Sequence, residues 1–181
     1  MTLNLLSARF GSMVKKSFNN ALLELGETIL AGEDTAERIL HRYFRAYPAL
    51  GKRDRQNLRE TLFTWLRLKE PLVSYLHKKG QPSLLQELQL AQQIVHHPLE
   101  EQDFFSYWQE STNLSVAAAL PFWIIKDLSQ HYLEQEIIAL GKSFITQAPL
   151  DIRTNLLKTS RKALALSLIH ISEPTRRRGI S

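Results

Sequence analysis

Gln147–Arg161 reads QAPLDIRTNLLKTSR, and here the period of the chain changes. Behind Pro149, the run Leu150-Asp151-Ile152-Arg153-Thr154-Asn155-Leu156 alternates between apolar and polar, the pattern of a half-buried strand. Thr159 and Ser160 then offer N-caps for a helix. One strand and one helix do not make a sheet. The stretch therefore predicts the start of an α/β or α+β subdomain that the sequence does not complete.

Everything from Ser7 to about Ile145 has helical spacing instead. Phe18, Leu22, Leu25, Ile29 and Leu30 share one face of a first helix, which Gly32 ends. Asp34 or Thr35 caps a second, in which Ile39, Leu40, Tyr43 and Phe44 repeat, and Pro48 closes it. Gly51 turns the chain into a third helix carrying Leu58, Leu62, Phe63, Trp65 and Leu66. Pro71 fits the first turn of a fourth, Ser83 caps a fifth, and Pro98 breaks that one. Small residues over Val116–Ala119 lead into Leu120-Pro121-Phe122-Trp123 and two further helices. Trp65, Trp108 and Trp123 all fit core positions. The expected fold is mainly α, with residues 1–146 as a helical domain and 147–165 as the truncated start of an α/β or α+β subdomain.

With 44% apolar and 23% charged residues among 181, the composition is that of a folded chain rather than a disordered one. The longest apolar run, Val116–Ile125, is short and holds Pro121, so no membrane segment is expected. The N-terminus lacks the ordered zones of a signal peptide, which points to the cytoplasm. There is no cysteine, which excludes disulfides, thiolate metal sites and thiol nucleophiles from these residues. Formal charge is +5, but Arg176, Arg177 and Arg178 against Glu173 supply two of those charges. The mild excess that remains does not by itself establish a nucleic-acid partner.

The densest cationic stretch before the tail is Gly51-Lys52-Arg53-Asp54-Arg55, followed by Arg59. Helical spacing groups Lys52, Arg55 and Arg59, so their charges can meet phosphates together. A solvated helix face, with Asp54 and Glu60 as local partners, also explains them and is favoured by composition alone. Arg153 and Asn155 are two apart, on one face of the expected strand, with Lys158 and Arg161 just beyond. That face suits an RNA backbone or the wet side of a sheet. His96 and His97 point apart on a helix and lack companions, so no metal site is expected. Glycine loops for phosphates and nucleophile elbows are missing.

Tyr47-Pro48-Ala49-Leu50-Gly51-Lys52-Arg53-Asp54-Arg55 with Leu62-Phe63-Thr64-Trp65-Leu66-Arg67 resembles the "LG-x-R-D-R … V-Y-x-x-L-R" helix of the ribosomal RNA cytosine-5 methyltransferases of the RsmB/NOP (Sun) type. Leu120-Pro121-Phe122-Trp123 resembles the family's "LP-x-W" helix start, and Gln147–Arg161 its "QAPLDLRVNTLKTSR" segment. The resemblance implies a NusB-like helical domain that docks ribosomal RNA, then a small RNA-binding α+β subdomain, then an S-adenosylmethionine domain. In the family one cysteine attacks carbon 6 of the target cytosine and a second assists release. Neither cysteine nor the cofactor loops occur here, so the resemblance implies an inactive N-terminal portion that binds no cofactor. RNA contact carries over to Arg53, Arg55, Arg153, Asn155, Lys158 and Arg161, and a monomer is expected.

Leu166–Ser181, LSLIHISEPTRRRGIS, departs from the family pattern and resembles a translated sequencing-library adapter, which makes 166–181 an expected non-native tail. Two other classes remain open: a free-standing NusB-like RNA-binding or transcription module, and a helical protein-interaction domain.

Overall fold

The computed structural model describes residues 18–32, 34–146 and 152–172, the last four through their backbone alone. The expected helical turns over 7–17, the strand residues Leu150 and Asp151, and the tail beyond Ser172 lie outside them. Among the described residues the chain is mainly helical. Ten helices occur: α1 (Phe18–Leu30), α2 (Ala36–Ala46), α3 (Lys52–Arg67), α4 (Lys69–His77), α5 (Leu84–His96), α6 (Gln102–Gln109), α7 (Leu114–Ala118), α8 (Phe122–Leu128), α9 (Glu134–Ile145) and α10 (Arg161–Ser172). The chain divides into two compact units, Met1–Thr146 and Gln147–Ser181.

Local chemistry sets the helix ends of the first unit. Gly32 takes φ +70° after α1, a left-handed conformation that glycine adopts without a Cβ penalty. The Thr35 hydroxyl accepts from the Arg38 N–H at 3.5 Å ahead of α2. Ser83 and Gln86 form a reciprocal capping box at the start of α5, which satisfies two N–H groups that the helix itself leaves orphaned. Asn113 accepts from the N–H groups of Ser115 and Val116 to start α7.

The main core gathers Leu22 and Leu25 of α1, Ile39, Leu40 and Tyr43 of α2, and Leu58, Leu62 and Trp65 of α3. Leu72 of α4, Leu88 and Ala91 of α5 and Phe104 of α6 complete it. Helix α5 is central, packing along α1, α3 and α4. Trp65 is fully buried, and its indole N–H donates to Glu87 Oε2 at 2.9 Å. Burying an indole N–H without an acceptor costs about 1–3 kcal/mol, so this bond fixes how α3 lies on α5.

Aromatic rings carry the contact between α4 and α6. Tyr75 meets Phe104 edge-on at 5.5 Å, and the hydroxyls of Ser74 and Tyr107 share a hydrogen bond of 2.6 Å. Trp108 then donates its indole N–H to the Val116 carbonyl at 2.8 Å, tying α6 to α7. A second, smaller core follows from Ala118, Leu120, Ile125 and Ile137. Ala119 ends α7 at φ +52°, a left-handed conformation that costs an alanine about 1 kcal/mol. Helix α9 approaches α7 so closely that a Cβ on Gly141 would overlap the Ala118 carbonyl.

In the second unit the expected strand is not seen among the described residues. Ile152–Asn155 have no regular structure, and a turn follows over Leu156–Lys158. Strands exist by exchanging ladder hydrogen bonds, and no other described segment is a strand that could exchange them. Asn155 bends the chain instead: its Oδ1 accepts from the Leu157 N–H at 3.1 Å, and its carbonyl accepts from the N–H groups of Lys158 and Thr159. The Ser160 hydroxyl caps α10 through the Ala163 N–H, and α10 runs to Ser172, across the expected end of the native sequence near Ala165.

Two measurements check this packing. Gly141→Ala should cost about 1–3 kcal/mol in urea denaturation by overpacking a rigid backbone contact. Gly26→Ala, which meets only the movable side-chain tips of Leu88 at 3.0 Å and Leu84 at 3.5 Å and gains helix propensity, should be close to neutral; equal losses would contradict the assignment. Separately, Lys79 Nζ donates to the Tyr75 hydroxyl at 2.9 Å. That bond first, and the Tyr75 charge second, raise the Lys79 pKa above its ordinary 10.5. A lysine raised on folding stabilises fully below its unfolded pKa and loses that contribution as pH rises through the folded one. The melting-temperature difference between wild type and Lys79→Gln should therefore hold through neutral pH and shrink only under strongly alkaline conditions. Shrinkage already at neutral pH would contradict it.

Candidate functional site

Gly51 is extended, at φ −64° and ψ 161°, and starts α3 without a side-chain cap. Lys52 and Arg53 fill the first turn beside Asp54. Two cations there face the positive end of the helix dipole, which Asp54 partly offsets. Both side chains are exposed and take part in no hydrogen bond or ion pair among the described residues.

The other two cations of this motif are engaged. Arg55 Nε donates to the Leu50 carbonyl at 2.9 Å, its Nη2 donates to the Pro48 carbonyl at 3.0 Å, and its guanidinium lies 5.7 Å from the Phe44 ring centre. It latches the Pro48–Gly51 turn and holds the start of α3 beside the end of α2. Arg59 pairs with Glu37 of α2 at 2.9 Å, both groups about half exposed. The phosphate-facing trio expected from helical spacing thus has two members bound to the protein itself. Arginine's fixed fork suits paired carbonyls as well as it suits phosphate.

In the second unit Arg153, Lys158 and Arg161 are exposed, with no side-chain partner among the described residues. Asn155 instead uses its amide oxygen to build a turn. With no strand over Arg153–Asn155, the shared strand face expected for these two residues is absent.

The structure brings other residues together. Arg38, His41, Arg42 and Arg45 form an exposed stripe on α2, opposite the buried Ile39, Leu40 and Tyr43. Their spacing was a legible signal, because residues three, four and seven apart share a helix face. Asp34 lies at one end of the stripe, 3.0 Å from Arg42 and 3.6 Å from Arg38. Trp123, expected in the core, is 67% exposed next to Phe122 at 73%. Phe122 borders an apolar groove of about 660 Å³ that also takes in Val73, Leu114, Val116 and Ile125. His97 Nδ1 lies 3.6 Å from Glu100, and no group of three or more metal-ligating side chains converges among the described residues.

No strand occurs among the described residues. No helix is long and apolar enough to cross a membrane among them either. Compared with known proteins, the chain matches no family model, no curated protein and no solved structure.

The Arg55 latch is testable by denaturation. Arg55→Ala should cost about 1–2 kcal/mol, since charge-assisted bonds to two carbonyls are lost. Arg59→Ala should stay within about 0.5 kcal/mol, as exposed ion pairs contribute little. The reverse order would overturn these roles.

Proposed function

We propose that the helical unit is the RNA-docking portion of a ribosomal RNA cytosine-5 methyltransferase, NusB-like in its fold. The observation that carries the reading is the Gly51–Arg55 corner. Arg55 braces the turn from within, and the braced turn presents Lys52 and Arg53 to solvent with no competing partner. The motif resemblances at Tyr47–Arg67, Leu120–Trp123 and Gln147–Arg161 support it, because they fall in one family's order. Arg153, Lys158 and Arg161 would add phosphate contacts from the second unit. The methyl donor and catalytic cysteines would belong to residues other than these 181, which contain no cysteine.

A second reading, a helical protein-interaction domain, is favoured by a different observation. Phe122, Trp123, Tyr132, Leu133 and Phe144 are all more than half exposed in the last helices of the first unit and the turn that joins them, and exposed apolar patches commonly mark partner surfaces.

One double substitution separates the two. Lys52→Glu with Arg53→Glu places acids at a helix N-terminus, where they are favourable, so the melting temperature should not fall. RNA affinity measured by fluorescence anisotropy should drop, and its dependence on log salt should flatten by about 1.4, at about 0.7 per lost phosphate contact on a single strand. Unchanged affinity and slope would exclude the RNA reading at this corner and favour protein interaction.

A further inference from the structure

The α2 stripe is not part of the corner just described. Arg38, His41, Arg42 and Arg45 stand at positions i, i+3, i+4 and i+7, all exposed. At 1.5 Å per residue they extend over roughly 10 Å of helix. Arg45 has no side-chain partner among the described residues. Arg38 and Arg42 share one partner, Asp34, which is only 18% exposed and sits just before the N-cap Thr35. Asp34 Oδ1 also accepts from the Thr35 N–H at 2.8 Å, so the carboxylate is fixed while the Arg38 side chain above it remains largely exposed and that of Arg42 a little under half exposed.

We propose that the outer stripe of α2 is a ridge that binds RNA phosphates, and that Asp34 is a built-in competitor that limits its affinity. The inference rests on the RNA-docking reading and extends it to a surface and a control element. Guanidinium forks recognise phosphate by paired hydrogen bonds, and three arginines on one face supply them along a line. The stripe carries no exposed large apolar side chain, the feature by which a membrane-surface helix inserts into lipid. Continuity supports the same occupant: Arg55 lies against Phe44 and binds the Pro48 carbonyl, which sets the first turn of α3 beside the last turn of α2. Lys52 and Arg53 follow Arg45 across that turn, seven and eight residues further along the chain. A phosphate arriving at Arg42 must share its guanidinium with Asp34 or displace it. Affinity is therefore set partly by an anion inside the protein.

The test uses the full chain and a mixed-sequence single-stranded RNA at about 100 mM salt, read by anisotropy with a thermal melt of each variant. Arg42→Gln with Arg45→Gln should weaken binding about tenfold and flatten the salt slope by about 1.4. Asp34→Asn should strengthen binding about threefold to fivefold by removing one competing charge. Asn keeps an acceptor for the Thr35 N–H, and Asp34→Ser repeats the test with a hydroxyl in its place. If Lys52→Glu/Arg53→Glu weakens binding while Arg42→Gln/Arg45→Gln does not, the RNA reading stands and the ridge is overturned. If neither double variant has an effect, the RNA reading itself falls. A folded Asp34 variant with unchanged or weaker binding overturns the competitor role.

Discussion

A buried indole N–H has to find an acceptor, and in this protein the position of the α3 helix depends on that requirement. Trp65 is sealed in the core, and Glu87 reaches across from α5 to take its proton donor. Since α5 also packs against α1 and α4, anchoring α3 to α5 sets it relative to the rest of the bundle. The first turn of α3 lies some thirteen residues from the anchor, about 20 Å along a rigid helix. Lys52 and Arg53, without a side-chain partner among the described residues, are therefore placed by a core hydrogen bond at the far end of their own helix. The Arg55 latch then fixes the turn that leads into them.

The last helices of the first unit are assembled by a different physical means. Their core is small, so backbone proximity does work that side-chain volume does in the main bundle. Gly141 lets α9 settle on the Ala118 carbonyl, and Ala118 is itself fully buried. Small residues close one side of this subassembly and leave large ones without a place on the other. Phe122, Trp123 and Leu133 remain largely in water as a result.

Sequence patterns revealed what local chemistry decides. Gly32 and Ser83 mark helix ends because the conformations and hydrogen bonds they supply are their own. Helical periodicity likewise identifies Leu22, Leu40, Leu62 and Leu88 as core. It fails to separate Trp65 from Trp123, since both sit in apolar helical surroundings and only the tertiary packing decides which one finds cover. Arg55 looks like a ligand for phosphate because charge is visible in sequence, whereas the carbonyls of Pro48 and Leu50 that receive it are not. Alternation over Leu150–Leu156 is compatible with a strand but does not supply the partner that a strand requires. Arg38, Arg42 and Arg45 were legible as a stripe, yet nothing in their spacing reveals that Asp34 holds two of them.

The three tryptophans also divide by depth. Trp65 is sealed and bonded to a carboxylate, Trp108 is partly covered and bonded to a backbone carbonyl, and Trp123 is mostly in water. Indole emission shifts with the polarity around the ring, so the native protein carries three fluorophores of different colour. A soluble quencher such as iodide reaches Trp123 and leaves Trp65 dark to it. Without any label, light emitted from the main core can therefore be told apart from light emitted at the exposed face of α8.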